Sequence, residues 1–453
     1  MTVRVVARTV RELAVRLPFG AVVPAMIAVT VFAFACGSSS VRVVNEVGKP
    51  LRWALLLALL AVSAAWAAGR HDRVLPRRSV LAATAFFLGL AVVSSLWSVD
   101  PRLSAARAVS LILLFCVAAS LTQACAGRSA DIERVLRGLL GGAAAVAGAG
   151  LVVLAVDRAD AVQAATYDLA ARYQGLGENP NTASLLLALA LPVALWSVLS
   201  AHSLPRRLGA IALVLLILGS IVASGSRGAL VAAFVGVFLG VALAPLPLRG
   251  RAALAVCATA LLAASVVVME IPQPTGKAPH PPQGSAAAHR VSRYLDAEKI
   301  LPLSFEIGSG VGAAPTNTRR LFGSSGRSLA WRGALDTAAE RPALGYGFGT
   351  EAKVFVDRYA LFAGGVPENS YIGLDLQLGA VGLAAFVVLV VTILVATVRG
   401  LTMPVVGVCL AVFLGGLTLA VVQSYVYSVG NIGTATVWIC AFLGSGVTSR
   451  RPV

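Results

Sequence analysis

The sequence predicts an all-α polytopic membrane protein with about twelve transmembrane helices and one large, mostly helical loop on the extracytoplasmic side. Three observations lead there. The 453-residue chain is 58% hydrophobic and only 13% charged, about half the charged share of a soluble domain. Its mean hydropathy is +0.85, and apolar runs long enough to cross roughly 30 Å of hydrocarbon as helices recur along nearly its whole length. The alternating pattern of barrel strands is absent, so the backbone must find its hydrogen bonds inside helices.

A net charge of +17 would suggest nucleic acid as the partner of a soluble chain. Here it reads as the cytoplasmic bias of Lys and Arg. The partner is the lipid bilayer, and no nucleic acid is expected. The six cysteines (Cys36, Cys116, Cys125, Cys257, Cys409 and Cys440) lie in or beside apolar runs, with no CxxC pair, which argues against a disulfide framework or a zinc site.

The expected spans run roughly 17–36, 51–68, 79–97, 104–124, 138–156, 181–200, 207–224, 228–245, 251–269, 370–398, 404–427 and 432–447. The first follows several arginines and ends FAFACGSSS. A retained helix is preferred to a cleaved leader, because Ala33 and Phe34 fit a lipid-attachment box poorly. Placing both termini in the cytoplasm puts on one side the N-terminal arginines, the RHDRVLPRR loop, Arg128, Arg134, Arg137, Arg206, Arg207, Arg249, Arg251, Arg399, Arg450 and Arg451. The long 270–368 segment then lies outside the cytoplasm, since long loops translocate largely regardless of charge. Its Pro-rich start, 270–289, reads as extended or mobile. Its remainder, 290–368, reads as a small helical cap. The organisation is therefore a membrane domain 1–269, the loop 270–368, and a membrane domain 369–453. Between two early spans, residues 157–180 carry a short helix and a Gly-rich turn closed by Asn-Pro-Asn.

Few polar residues stand where hydropathy does not explain them. Arg227 sits between two apolar runs in SGSRGALVAAF. An arginine there is costly unless it is paired or faces water, although it could snorkel to an interface. Its small neighbours leave backbone N–H groups open as an anion nest. Arg172 precedes a turn in which Asn179 or Asn181 can cap the next helix, and a helix N-terminus favours anions. Arg327 and Arg332 flank Trp331, and Arg332 has Asp336 at i+4 as an ordinary partner. Guanidinium forks suit phosphate oxygens two at a time.

Glu368 opens ENSYIGLDLQLG, where it could act as a general base or cap the following helix. Asn369 and Tyr371 stand beside it. Asp375 is a second carboxylate in an apolar helix, and the base stays open among Glu368, Asp375 and Glu351. His280 and His289 fall in the Pro-rich stretch, and His71 and His202 in cytoplasmic loops. No P-loop, GxSxG, HExxH or DxD-like pattern occurs, which argues against nucleotide hydrolysis, serine hydrolysis and metal-dependent glycosyl transfer.

Four segments, in this order, resemble the O-antigen ligase and polymerase family of bacterial envelope enzymes. They are SSLWSVDPRLSAARAV (94–109), RYQGLGENPNTASLLLALALP (172–192), SGSRGALVAAF (224–234), and GRSLAWRGALDTAAERPALGYGFG (326–349) followed by ENSYIGLDLQLGAVGL (368–383). The resemblance implies a fold like that of the GT-C glycosyltransferases in the bacterial inner (plasma) membrane. It implies transfer of a preassembled glycan from undecaprenyl diphosphate to a glycan or lipid-glycan acceptor, with no metal or cofactor. Arg172, Arg227 and Arg327 would match the arginines that hold the lipid diphosphate. Glu368 stands where ligases usually carry a histidine followed by asparagine, and this departure favours a polymerase or a related glycan transferase. A transporter or flippase of lipid-linked sugars is the alternative. It would place charges deep in several discontinuous helices, whereas these gather at one surface and in one loop.

Overall fold

The computed structural model describes residues 19–69, 77–125, 127–165, 170–271, 273–274, 316–317, 327–358 and 366–447. Each expected span coincides with a helix: α1 (Phe19–Cys36), α2 (Arg42–Gly69), α3 (Arg78–Val93), α4 (Pro101–Cys125), α5 (Ser129–Val156), α7 (Pro180–Leu199), α8 (Leu204–Ser224), α9 (Arg227–Ala242), α10 (Leu248–Glu270), α13 (Ser370–Val398), α14 (Pro404–Leu419) and α15 (Ile432–Gly446). Among the described residues nine of these are long and apolar enough to cross a membrane, while α9, α14 and α15 are shorter. The fold is all-α and polytopic, with only two-residue strands. The Pro-rich stretch, most of 290–326, and His71, His280 and His289 lie outside the described residues.

The shortest apolar helix is the centre of the bundle. Every residue of α15 is buried, and it packs against α4, α7, α13 and α14. Trp438 anchors it, with the ring of Phe115 at 4.7 Å and those of Phe386 and Phe413 at 6.2 Å, edge or tilted contacts that aromatic quadrupoles favour. The first helix is an integral layer. Gly138 and Gly142 of α5 let α1 approach so closely that a Cβ at either would sit under 3 Å from Pro24 or Val31, the small-residue packing that apolar surroundings require.

Residues 157–180 form a short helix, α6 (Arg158–Ala161), then β1 (Val162–Gln163) paired antiparallel with β2 (Arg172–Tyr173). A second two-residue pair joins β3 (Gln273–Pro274) to β4 (Thr316–Asn317). The cap contains α11 (Arg327–Ala338) and α12 (Glu351–Arg358). It has its own small core, in which Ala330, Ala334, Ala338, Tyr346, Val354 and Phe355 enclose Leu376 of α13.

Two expected spans differ in shape. The 404–427 stretch stops being helical at Leu419, because Gln423, Ser424, Ser428 and Asn431 turn the chain into an irregular 420–431 connection. Helix α13 is broken at Gly379, whose φ of 62° and ψ of −167° are non-helical. The break releases two carbonyls and two amides, and one segment takes all four. Tyr346 and Gly347 donate to the carbonyls of Leu376 and Gln377 at 3.0 and 2.8 Å, while Ala380 and Val381 donate to those of Pro342 and Ala343 at 2.8 and 3.2 Å. Pairing of freed backbone groups with a neighbouring segment is what permits a kink beside a membrane. The 370–378 half therefore belongs to the cap, and Asp375 rides on that half rather than in the middle of a spanning helix.

Candidate active site at the cap

Arg172 ties a turn to a helix end. Its Nε donates to the carbonyl of Ser224 at 2.7 Å and its Nη2 to Asn181 Oδ1 at 2.8 Å. It thus satisfies a C-terminal carbonyl of α8 while holding the start of α7. Asn179, not Asn181, caps α7, accepting from the amides of Asn181 and Thr182 at 3.0 and 2.9 Å. The division follows from geometry: the cap residue's own side chain folds over the first turn, and the next asparagine is left to face the arginine.

The α8–α9 junction is a two-residue break. Gly225 takes a left-handed φ of 60°, Ser226 N–H donates to Ser224 Oγ at 3.2 Å, and Arg227 is the first residue of α9. Ser226 makes no side-chain cap bond to this helix, and the positive end of the helix dipole lies at Arg227. Arg227 is half-buried and lies within electrostatic reach of Arg327 from the cap. Arg227 and Arg327, from separate segments, thus lie in electrostatic reach of each other, while Arg172 bonds the Ser224 carbonyl three residues before Arg227.

Arg327 opens α11 and grips Glu368, Nε at 2.8 Å and Nη2 at 2.6 Å from Oε2. Trp331 Nε1 donates to the carbonyl of Pro367 at 2.9 Å, fixing the chain just before the glutamate. Helix capping is not the task of Glu368. Asn369 performs it, accepting from the amides of Tyr371 and Ile372 at 2.9 and 3.1 Å. Among the described residues Glu368 is the one non-glycine with positive φ, at 50°, a conformation that persists only where its surroundings over-determine it. Those surroundings are the 420–431 connection. Asn369 N–H donates to Ser424 Oγ at 3.1 Å, Ser370 N–H to the Ala420 carbonyl at 2.8 Å, and Ser370 Oγ to the Gln423 carbonyl at 2.6 Å. Tyr371 hydroxyl reaches the Leu417 carbonyl at 2.8 Å. Sequence reasoning missed this clamp because 404–427 reads as one apolar span. The polar run Gln423-Ser424 is the signal that could have exposed it.

Arg332 is exposed on α11, and among the described residues its expected pair with Asp336 is not formed. Asp375 is half-buried on the 370–378 half. Glu351, by contrast, is buried at the start of α12, where it accepts from the Tyr427 hydroxyl. Burial raises its pKa from 4.5 to about 7, against the opposing effects of Tyr427, Gln377 and Arg107.

Residues 211–387 match the family model described as O-Antigen ligase. Over this stretch the chain is similar to that family. The matched stretch begins within α8 and ends in α13, so it contains Arg227, Arg327, Glu351 and Glu368. Arg172 and the Asn179–Asn181 turn are added to it from upstream. No curated protein matches the chain. The matched stretch also supplies both walls of a groove of about 530 Å³ between α8 and α10, lined by Leu215, Leu218, Val222, Leu261, Val268 and Met269, with Arg172 and Gly225 in the same lining.

Proposed function

We propose that this protein is a glycosyltransferase of the bacterial inner membrane, with its termini in the cytoplasm and its cap outside. It transfers a preassembled glycan from undecaprenyl diphosphate to a hydroxyl of a glycan or lipid-glycan acceptor. The observation that carries this reading is Arg172 in the lining of an apolar groove, bonded to Ser224 just before α9, with Arg227 at the start of α9 in electrostatic reach of Arg327 and the Glu368 carboxylate in contact with Arg327. A prenyl chain occupies the groove, and its diphosphate reaches the arginines and the N-terminus of α9.

The chemistry needs no metal. Diphosphate leaves well once its charge is neutralised, and fixed guanidiniums supply that neutralisation without reorganising. Glu368 takes the proton of the acceptor hydroxyl, the oxygen forms its bond at the anomeric carbon, and the carbon–oxygen bond to diphosphate breaks with its electron pair on the leaving group. One in-line displacement inverts the anomeric centre. In the resting site Glu368 is neutralised by Arg327. An incoming diphosphate competes for that guanidinium and gives the carboxylate an anionic neighbour instead, which strengthens it as a base. Donor binding thereby arms the base.

The test is transfer in a vesicle-free detergent system with lipid-linked glycan as donor. Product formed by the wild type and lost in Arg227→Ala and Glu368→Gln supports the enzyme. Product formation by neither the wild type nor any variant, with lipid-linked glycan still crossing proteoliposome membranes, would instead favour a flippase.

A further inference from the structure

The mechanism above leaves one buried cluster unused. Glu351 is 7% exposed and Tyr427 is 4% exposed. The tyrosine hydroxyl donates to Glu351 Oε2, and Tyr427 stands three residues after Ser424 in the 420–431 connection. Ser424 Oγ accepts from the amide of Asn369 at 3.1 Å, the residue after Glu368. The 420–431 connection thus joins a buried carboxyl on α12 to the backbone that holds the strained glutamate. Space for it is made by Gly373, where a Cβ would collide with both the Tyr427 hydroxyl and the Glu351 carboxylate.

We propose that Glu351 is a positioning residue of the transfer site, holding the 420–431 connection through Tyr427 and thereby keeping Glu368 in its working geometry. The proposal rests on the reading of Glu368 as base. Glu351 reaches no open face, so it acts through Tyr427 and not on substrate.

Its charge state decides whether the clamp holds. The groups facing it are Tyr427 from the connection, the Gln377 amide from the 370–378 half, and Arg107 from α4, which is exposed and in electrostatic reach. Lys353, two residues on, reaches Asp100 instead. Burial outweighs these groups and keeps the proton on up to about pH 7. Below that pH the carboxyl is neutral and Tyr427 keeps its bond to it. Above it, a buried negative charge appears without a contacting cation, a costly state that is relieved by loosening Tyr427 and the connection. Turnover then falls on an alkaline limb set by a residue far from the reacting atoms.

The experiment uses the full chain in detergent as wild type, Glu351→Gln, Glu351→Ala, Tyr427→Phe and Glu368→Gln. Transfer is followed across pH, with the infrared carbonyl band of a protonated carboxyl as a second readout. The amide variant retains a neutral acceptor for Tyr427, so it keeps near-wild-type kcat, loses the limb near neutrality, and loses the band that titrates there. Glu351→Ala and Tyr427→Phe lower kcat on the order of 100-fold, the cost of a misplaced catalytic group. Their KM for donor is unchanged, because the arginines are untouched. Full activity of Glu351→Ala beside an inactive Glu368→Gln overturns this proposal and leaves the base assignment. A limb that persists in Glu351→Gln also overturns it. Full activity of Glu368→Gln overturns both.

Discussion

Arg327 and Glu368, 41 positions apart in the chain, meet through two guanidinium nitrogens on one carboxylate oxygen. The pair joins the cap to the start of the 370–378 half-helix. It is about a quarter to a third exposed, so solvent screening keeps its contribution to stability small. In the proposed mechanism its value lies in exchange, because a diphosphate presents a stronger partner to the same guanidinium.

Inorganic pyrophosphate should therefore inhibit transfer competitively with donor. Arg327→Ala should weaken that inhibition about tenfold or more, the loss of one charge-assisted contact. Inhibition of equal strength in the variant would remove Arg327 from the diphosphate site.

Arg172→Lys should behave very differently from a conservative change. Lysine keeps the charge but cannot donate from Nε and Nη2 to Ser224 and Asn181 together. We expect a loss of roughly 2 kcal/mol in stability and a raised KM for donor, seen by thermal unfolding and initial rates. A variant with wild-type melting and KM would show that the fork is dispensable.

Gly379→Ala tests the kink. Alanine is strained at φ 62°, and its Cβ would meet the Ala343–Leu344 backbone. Expected destabilisation is on the order of 3 kcal/mol or more, with low abundance of folded protein in membranes. Normal abundance would mean that the 342–347 segment does not need the break.

Glu351 also predicts how stability depends on pH. Burial raises its pKa from 4.5 to about 7. Within that window an unfolded chain ionises while the folded chain keeps the proton, so this group's contribution to stability falls as pH rises and levels off above it. Glu351→Gln should flatten the decline in melting temperature between roughly pH 5 and pH 7.5. An unchanged slope would place the titrating group elsewhere.

A chelator should leave transfer unchanged, because arginines supply the positive charge. Loss of activity on chelation, restored by a divalent cation, would require a metal that this mechanism does not use.

The sequence by itself determined the membrane class, the helix positions and the polar residues that needed explaining. These are local matters: a run of apolar residues has one stable form in hydrocarbon, and a lone Arg227 or Glu368 stands out against it whatever surrounds it. The tertiary structure decided which of these residues meet. That α15, the shortest apolar helix, is the core, that Asn179 caps α7 while Asn181 meets Arg172, and that Arg327 grips Glu368 all depend on packing between segments far apart in the chain. The kink at Gly379 and the irregular 420–431 connection were hidden inside apolar runs. Their backbone groups are satisfied by distant partners, and hydropathy carries no record of a hydrogen bond made across the fold.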